Sequence, residues 1–286
     1  MQKLRERLTD FKDYCKEHLA FRVLFCIFII SLFILMIYLS AYNISQIQAE
    51  SAFNQAQTQA MIIVSSDEAT NQYIKNFLDD DKNNDNYSDF LTEYTYDFET
   101  LMAENPDTIG WITIPGTNVD YPLMQKITDN DYYLHHGFDT LPSVQGCLFL
   151  EGYNHAPMTD SISVIYGHNM RNQSMFATLH YYEDEAFFQE HRYFFVYLPG
   201  KTFIYEVIAA SQYTDEHILT AMLNTDYETY NESFLQKVRD FEDVNAHFID
   251  IEPLTSEDAL LVLSTCTGSN KQHRYLVIGR LIRTNE

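Results

Sequence analysis

LVLSTCTGSNKQHRYLVIGRL, residues 261–281, joins two apolar runs through a short polar loop. The first run leads into Cys266, and the second run begins just after Arg274. Aliphatic and β-branched runs favour strands, whereas the Gly, Ser and Asn of the loop favour a turn. The stretch therefore predicts a β-hairpin in which a thiol ends one strand and a guanidinium starts the next, so that the two groups lie close together.

Further strand-like runs occur upstream at intervals marked by turn residues. They are Gly110–Ile114, VDYPLM, GCLFLE, SISVIYG, RYFFVYL and TFIYEVIAA. Together with the hairpin they predict an all-β core, which is a barrel or a sandwich. One helical insert precedes the cysteine strand, since Phe234, Val238 and Phe241 follow helical spacing in NESFLQKVRDFED, with Asn231 as a candidate cap.

The composition excludes several classes of protein. The 286 residues carry a formal charge of −23, which argues against binding to nucleic acid because that requires a basic surface. The chain has four cysteines and no CxxC motif. A zinc ribbon, a thioredoxin-like site and a disulfide framework are therefore not expected.

Residues 23–41 form an uncharged apolar segment of the length that spans a bilayer. Six basic residues precede or flank it, and no Lys or Arg follows until Lys75. The positive-inside rule then places the N-terminus in the cytoplasm and everything after Ala41 outside. Cleavage after the segment, near Ala52, is the alternative.

The chain divides by composition into four parts. They are a cytoplasmic tail (1–22), a transmembrane signal-anchor helix (23–41), an extracellular stalk or linker with an N-terminal helix (42–96) and the β core (97–286). The acidic run Asp79–Asp89 resembles a calcium loop but lacks the central Gly, and Thr92 stands where the closing Glu belongs. We interpret it as a polar linker.

Cys266 requires a partner to act as a nucleophile, because a free thiol is mostly protonated at neutral pH. Arg274 cannot accept a proton, but it can stabilise an oxyanion. His168 is the candidate base, since it follows the strand SISVIYG. Strand alternation puts His273 on the face opposite Arg274. The alternatives for Cys266 are a buried thiol or a disulfide with Cys147.

Four other histidines occur in helical or polar contexts that are typical of a protein surface. They are His180, His191, His217 and His247.

The motifs IYGHN and STC…RY together resemble those of the sortases, which are cysteine transpeptidases of the Gram-positive cell surface. NPDTIGWITIPGTNVDYPLMQ, NDYYLHHGF and IYGHNMRNQSMFATL are similar to segments of class B sortases. The resemblance extends from about Phe98 to Ile282 and includes the helical insert.

The resemblance implies an eight-stranded β-barrel with N-terminal helices, behind a transmembrane helix. It also implies Cys266 as nucleophile, His168 as general acid and base, and Arg274 as the arginine that holds the oxyanion or the substrate. The residues implied to bind the substrate are Ser264, Thr265, Tyr166, Asn130 and Leu134. No metal or cofactor is implied.

The implied reaction cleaves a C-terminal sorting motif of surface proteins, NPxTx or LPxTx, after Thr and transfers the protein to an amine. That amine belongs to a lipid-linked peptidoglycan precursor or, in a pilin-polymerising enzyme, to a lysine. A cysteine hydrolase and a non-enzymatic peptide-binding barrel are the alternatives. Because a bond to Cys266 would inactivate the enzyme, Cys147 is expected to be a buried thiol.

Overall fold

The computed structural model describes residues 19–63, 94–156, 158–223, 225–268 and 272–285. Most of the predicted cytoplasmic tail and the predicted polar linker Asp79–Asp89 lie outside these ranges. The chain forms two units, of which the first ends at Gln48 and the second begins at Ala49.

The first unit consists, in its described part, of the apolar portion of helix α1 (Leu19–Ala60). The large apolar side chains from Val23 to Leu39 are exposed. By length and composition α1 is able to cross a membrane, since its most apolar window has a mean hydropathy of 2.9. This finding agrees with the segment predicted at residues 23–41.

The second unit contains short helices and strands. The α-helices after α1 are α2 (Phe98–Glu104), α3 (Tyr132–His135), α4 (Glu185–Glu190) and α5 (Tyr230–Arg239). The strands are β1 (Met61–Ile63), β2 (Tyr94–Tyr96), β3 (Thr108–Thr113), β4 (Asp120–Met124), β5 (Leu148–Leu150), β6 (Ile162–Tyr166), β7 (Tyr193–Leu198), β8 (Lys201–Thr214), β9 (His247–Phe248), β10 (Leu260–Cys266) and β11 (His273–Asn285).

Eight of these strands close into a barrel. Their order is β11–β10–β6–β5–β4–β3–β7–β8, and β8 pairs back onto β11. The first half of β8 pairs with β7 and a later part pairs with β9. β1 and β2 form a separate two-stranded sheet. The predicted eight-stranded barrel is confirmed, and its strands are the eight that the sequence predicts.

Both faces of β10 are buried, which explains its unbroken apolar sequence. Leu261 and Leu263 belong to the cluster that fills the barrel, whereas Leu260 and Val262 belong to a second cluster outside it. Successive side chains of a strand point to opposite faces, so one strand supplies both clusters. The outer cluster includes three residues of α5, namely Phe234, Leu235 and Val238.

The predicted helical insert is confirmed as α5, but its predicted cap is wrong. Thr229 occupies the cap position, and Asn231 lies inside the helix and is buried. The Asn231 amide donates hydrogen bonds of 2.8 Å to the carbonyl oxygens of Thr255 and Asp258. This side chain therefore ties α5 to the segment that leads into β10, because satisfying buried carbonyls outweighs capping.

Candidate active site

Three neighbouring strands bring the predicted site residues to one edge of the barrel. β6 and β10 run parallel with Tyr166 beside Ser264, so both strands end at the same edge. β10 and β11 are antiparallel with Cys266 directly opposite Arg274. Opposite residues of antiparallel strands project from the same face. The thiol and the guanidinium thus lie on one side of the sheet, as the hairpin predicts.

This side is the outer face of the barrel. Cys266 follows Val262 and Ser264 in steps of two, and Val262 faces the outer cluster. His273 is one residue from Arg274 and does not line the site, since its ring contacts Phe241 at a centroid distance of 5.1 Å.

A cleft of about 320 Å³ lies over this edge. All eight predicted site residues line it: Cys266, His168, Arg274, Ser264, Thr265, Tyr166, Asn130 and Leu134. They come from three strands and from the segments around α3 and after β6. The fold therefore brings together residues that are far apart in the sequence.

His168 is positioned by close packing and by one hydrogen bond. A side chain at Gly167 would overlap Leu148 and Phe176, so the lack of one lets these two residues pack against the backbone beside His168. The Nε2 atom of His168 lies 2.8 Å from the carbonyl oxygen of Leu134. A carbonyl only accepts, so Nε2 carries the proton and Nδ1 is the nitrogen left to gain or lose one.

The ends of β6 and β10 are also tied to each other. The Thr265 hydroxyl donates to the Gly167 carbonyl at 2.8 Å, and the Gly167 amide donates to the Ser264 carbonyl at 3.2 Å. These bonds fix the distance between the strand that ends in Cys266 and the loop that carries His168.

Residues 112–282, more than half of the chain, match the family model of the sortase domain. The chain belongs to the sortase family. A sortase B from Listeria monocytogenes is 34% identical over 189 residues, which are 64% of this chain and 72% of the relative. The crystal structure of Clostridium perfringens sortase B is 33% identical, with a TM-score of 0.57, and covers 65% of this chain and 100% of that one.

A third similar protein is a class B sortase from Streptococcus pyogenes involved in pilus biogenesis. Its crystal structure is 26% identical, with a TM-score of 0.56, and covers 65% of this chain and 97% of that one. The predicted class is confirmed: this protein is a class B sortase, a cysteine transpeptidase of a family that acts on surface proteins with sorting signals.

Cys266 of this sortase is exposed, whereas its backbone carbonyl group is held by contacts with two side chains. Its carbonyl oxygen accepts a 2.8 Å hydrogen bond from the Asn169 amide, and the Nε2 atom of His180 lies 3.0 Å away. His180 also contacts the Glu183 carboxylate at 2.6 Å and stacks on Tyr275. His180 was expected in a surface context; its side chain is 20% exposed, and these contacts hold it against the backbone of Cys266.

Glu151 and His217 also line the cleft, although no motif in the sequence points to either position. The Glu151 carboxylate is buried and lies 3.2 Å from the Nε2 atom of His217. Tyr166 lines the same cleft, near this carboxylate. Burial, followed by the negative charge of Glu151, raises the pKa of Tyr166 well above its usual range, so this phenol stays protonated.

Cys147 is a free thiol with 1% exposure, as expected, and Cys266 is free as well. The Cys147 Sγ atom donates to the His136 carbonyl at 3.4 Å. Burial raises the pKa of the Cys147 thiol well above its usual value. The alternative of a disulfide between the two cysteines is excluded in this structure.

Proposed function

We propose that this sortase cleaves a C-terminal sorting motif, NPxTx or LPxTx, after Thr and transfers the surface protein to an amine of the cell-wall peptidoglycan. Cys266 is the nucleophile, His168 the general acid and base, and Arg274 the oxyanion donor. The observation that carries this proposal is the pairing of Cys266 with Arg274 across two strands, at a cleft that also contains His168.

In the first step the Cys266 thiolate attacks the Thr carbonyl carbon of the motif. The negative charge that develops on the carbonyl oxygen is stabilised by the Arg274 guanidinium. The C–N bond then breaks, a proton from His168 goes to the leaving amine, and a thioester joins Thr to Cys266.

In the second step an amine of the acceptor attacks the thioester carbon. His168 takes a proton from the attacking nitrogen, the C–S bond breaks, and a new amide forms while the thiolate is regenerated. The hydrogen bond from His168 Nε2 to the Leu134 carbonyl supports this role, because it holds the ring and leaves Nδ1 to exchange the proton.

The motif peptide would lie along the cleft beside the proposed nucleophile. Ser264, Thr265, Tyr166, Asn130 and Leu134 are proposed to bind it, and all five line the cleft. The Thr265 hydroxyl already donates to Gly167. Its part in binding would therefore come from its backbone and methyl group rather than from its hydroxyl proton.

A pilin lysine is the second candidate for the acceptor amine. The observation that favours it is the likeness to the S. pyogenes class B sortase, which is involved in pilus biogenesis. The two acceptors differ only in which amine reaches the thioester.

We further propose that residues 23–41 anchor the enzyme in the cell membrane, with tail 1–22 in the cytoplasm and stalk 42–96 and barrel 97–286 outside. The apolar composition of α1 and the basic residues before it support this topology. A membrane-impermeant thiol reagent applied to intact cells is expected to label Cys266 and to spare Cys15. Labelling of Cys15 alone would reverse the orientation.

The test of the reaction uses the full chain in detergent with NPxTx and LPxTx peptides, with and without a peptidoglycan-like amine or a lysine peptide. Mass spectrometry is expected to show a thioester on Cys266 that transfers to the amine, and no adduct in Cys266→Ala. Water as the preferred acceptor would indicate a hydrolase. Binding without any adduct would indicate a peptide-binding barrel.

A further inference from the structure

The backbone carbonyl group of Cys266, the last residue of β10, points to the edge of the strand that faces β6. The last paired residues of these two strands are Tyr166 and Ser264. The Ser264 carbonyl accepts from the Gly167 amide at 3.2 Å. In an extended strand the carbonyl two residues further on points to the same edge, so that of Cys266 lies beyond the end of β6. Side chains hold it there instead of a strand.

Two side chains, those of Asn169 and His180, approach this carbonyl group. The Nδ2 atom of Asn169 donates to the oxygen at 2.8 Å, and the Nε2 atom of His180 lies 3.0 Å from the same oxygen. Asn169 lies in the segment after β6, and His180 lies in a 3₁₀ helix, Ala177–Glu183. A carbonyl oxygen has two lone pairs and therefore accepts from both side chains.

Both ring nitrogens of His180 face acceptors. Nδ1 lies 2.6 Å from the Oε1 atom of Glu183, and Nε2 faces the Cys266 carbonyl oxygen. Neither an ionised carboxylate nor a carbonyl has a hydrogen to donate. The ring therefore satisfies both contacts only when each nitrogen carries a hydrogen, which is the imidazolium form. Its contact with Glu183 is then a charge-assisted hydrogen bond.

A neutral His180 ring would hold the Cys266 carbonyl less well. Its one hydrogen would stay on Nδ1, which faces the carboxylate, so Nε2 would present a lone pair to the carbonyl oxygen. The Nδ2 atom of Asn169 also lies 3.0 Å from Nε2, so the ring nitrogen and the carbonyl oxygen would compete for its hydrogens. Loss of the second ring proton thus weakens both contacts with the backbone of Cys266.

The titratable groups that face this ring are Glu183 on its own helix, Tyr275 on β11 and Cys266 on β10. The ring stacks on Tyr275 at a centroid distance of 4.7 Å. Burial, followed by the charges of Glu183 and Asp243, raises the pKa of Tyr275 well above its usual range, so this phenol carries no charge. The Glu183 backbone carbonyl contacts His247 Nε2 at 3.0 Å. Glu183 therefore supplies the negative charge that balances an imidazolium.

We propose that His180, oriented by Glu183, is a positioning residue for the nucleophile. As an imidazolium it holds the Cys266 carbonyl together with Asn169, which fixes the end of β10 from which the thiol projects. Small displacements of a reacting group cost much of its rate, so such a contact serves the reaction. His180 is absent from the described residues that line the cleft, so it acts through the backbone of Cys266. This inference rests on the proposed function.

The test compares two replacements of His180 in the full chain in detergent, with whichever of the NPxTx and LPxTx peptides the wild type cleaves and with a saturating amine. His180→Phe keeps a ring that can stack on Tyr275 but removes both N–H groups. His180→Gln returns a neutral donor to the carbonyl. We expect His180→Phe to lower kcat about tenfold with KM within about twofold of wild type, and His180→Gln to recover most of the loss.

The pH profile separates this role from packing alone. Because the imidazolium is the form that holds the carbonyl, kcat of the wild type is expected to fall as the pH rises through the titration of His180. Glu183→Gln removes the negative charge beside the ring and is expected to move this fall to lower pH. His180→Gln is expected to lack this step, since its amide does not titrate, whereas any step due to His168 remains.

The protonation of the ring is also measured without substrate. Proton–nitrogen correlation spectra of the enzyme with labelled histidine, assigned by comparison with His180→Phe, report which ring nitrogens carry a hydrogen. Both nitrogens are expected to be protonated at the pH of full activity, and the second hydrogen is expected to be lost over the pH range in which kcat falls.

The matched control is His155→Gln, which alters another histidine that pairs with a carboxylate. His155 lies 2.9 Å from Asp160, its side chain is 77% exposed, and it does not line the cleft. This variant is expected to keep the kcat, KM and pH profile of the wild type. Melting temperatures of all variants report whether the barrel is intact.

Three results, each with an active wild type, would overturn the inference and leave the proposed function standing. The first is full kcat in His180→Phe. The second is a loss that follows the melting temperature and is not recovered in His180→Gln, which marks a packing role alone. The third is a ring with a single hydrogen at the pH of full activity. Absence of any thioester in the wild type with both motif peptides overturns the proposed function, and the role of His180 with it.

Discussion

Cys147 and Cys266 place the same side chain in two opposite settings. Cys147 precedes β5, is 1% exposed and donates its weak hydrogen bond to a backbone carbonyl. Cys266 ends β10, is exposed and stands opposite Arg274. Burial raises the pKa of the Cys147 thiol well above its usual value, whereas Cys266 is open to a substrate and faces a guanidinium.

The difference shows that reactivity belongs to the position in the fold rather than to the residue type. A buried thiol without a cation remains neutral and fills space, as a small apolar side chain does. A thiol at a strand end is reachable by a peptide and lies beside groups from three strands. The following substitutions test each part of this contrast, in order of decreasing effect.

The largest effect is expected from exchanging sulfur for oxygen at the two positions. Cys266→Ser is expected to lower kcat/KM by at least about 10³-fold, because the hydroxyl is a far weaker nucleophile. Cys147→Ser is its matched control and should retain turnover, since a hydroxyl can still donate to the His136 carbonyl. Peptide turnover and melting temperature measure both. Equal losses in the two variants would remove the distinction between the thiols.

His168→Ala is expected to lower kcat by about 10² to 10⁴-fold through loss of proton transfer. Single-turnover assays with the motif peptide, read as amine release, measure this step. Retained activity here combined with its loss in His273→Ala would transfer the acid and base role to His273.

Arg274→Lys is expected to lower kcat/KM by about 10²-fold, because an ammonium does not reproduce the planar fork of donors. The measurement is a steady-state comparison across the pH range of activity. A fully active Lys variant would show that Arg274 acts only as a positive charge near Cys266.

The smallest effect is expected at the neighbour of that arginine. His273→Ala is expected to change kcat/KM by less than about twofold, since the ring contacts Phe241 and does not line the cleft. The same assay checks it beside Arg274→Lys. A loss as large as that of Arg274→Lys would mean that both faces of β11 serve the reaction.

The strands were predictable because their sequences carry the signal locally. Each barrel strand is a run of β-branched, aliphatic or aromatic residues between turn residues, and the Gly, Ser and Asn between the last two runs predict their hairpin. Cys266, Arg274 and His168 were candidates from their places at strand ends, whereas Ser264, Thr265, Tyr166, Asn130 and Leu134 were implied only by the resemblance to the family. The register of the barrel strands brings these residues together, and no single segment of the sequence specifies that register.

The contacts that sequence reasoning missed depend on long-range packing. His180 meets the Cys266 carbonyl across 86 residues, and Glu151 meets His217 on a segment that follows β8. In the sequence these histidines resemble surface residues because their polar neighbours are exposed. Asn231 shows the same limit, since an amide suited to capping binds two carbonyls brought near by the tertiary fold.

The side chains of β10 alternate between two buried clusters. The site therefore depends on whether the number of residues in this strand is odd or even. One residue inserted between Leu261 and Ser264 would exchange the inner and outer side chains beyond it and turn the thiol toward the barrel interior. Two inserted residues would restore the face but shift Cys266 along Arg274's strand by about 7 Å. Residues added between Thr267 and Gln272 leave that parity untouched, so length variation in this enzyme is expected in the hairpin loop and not in the strand.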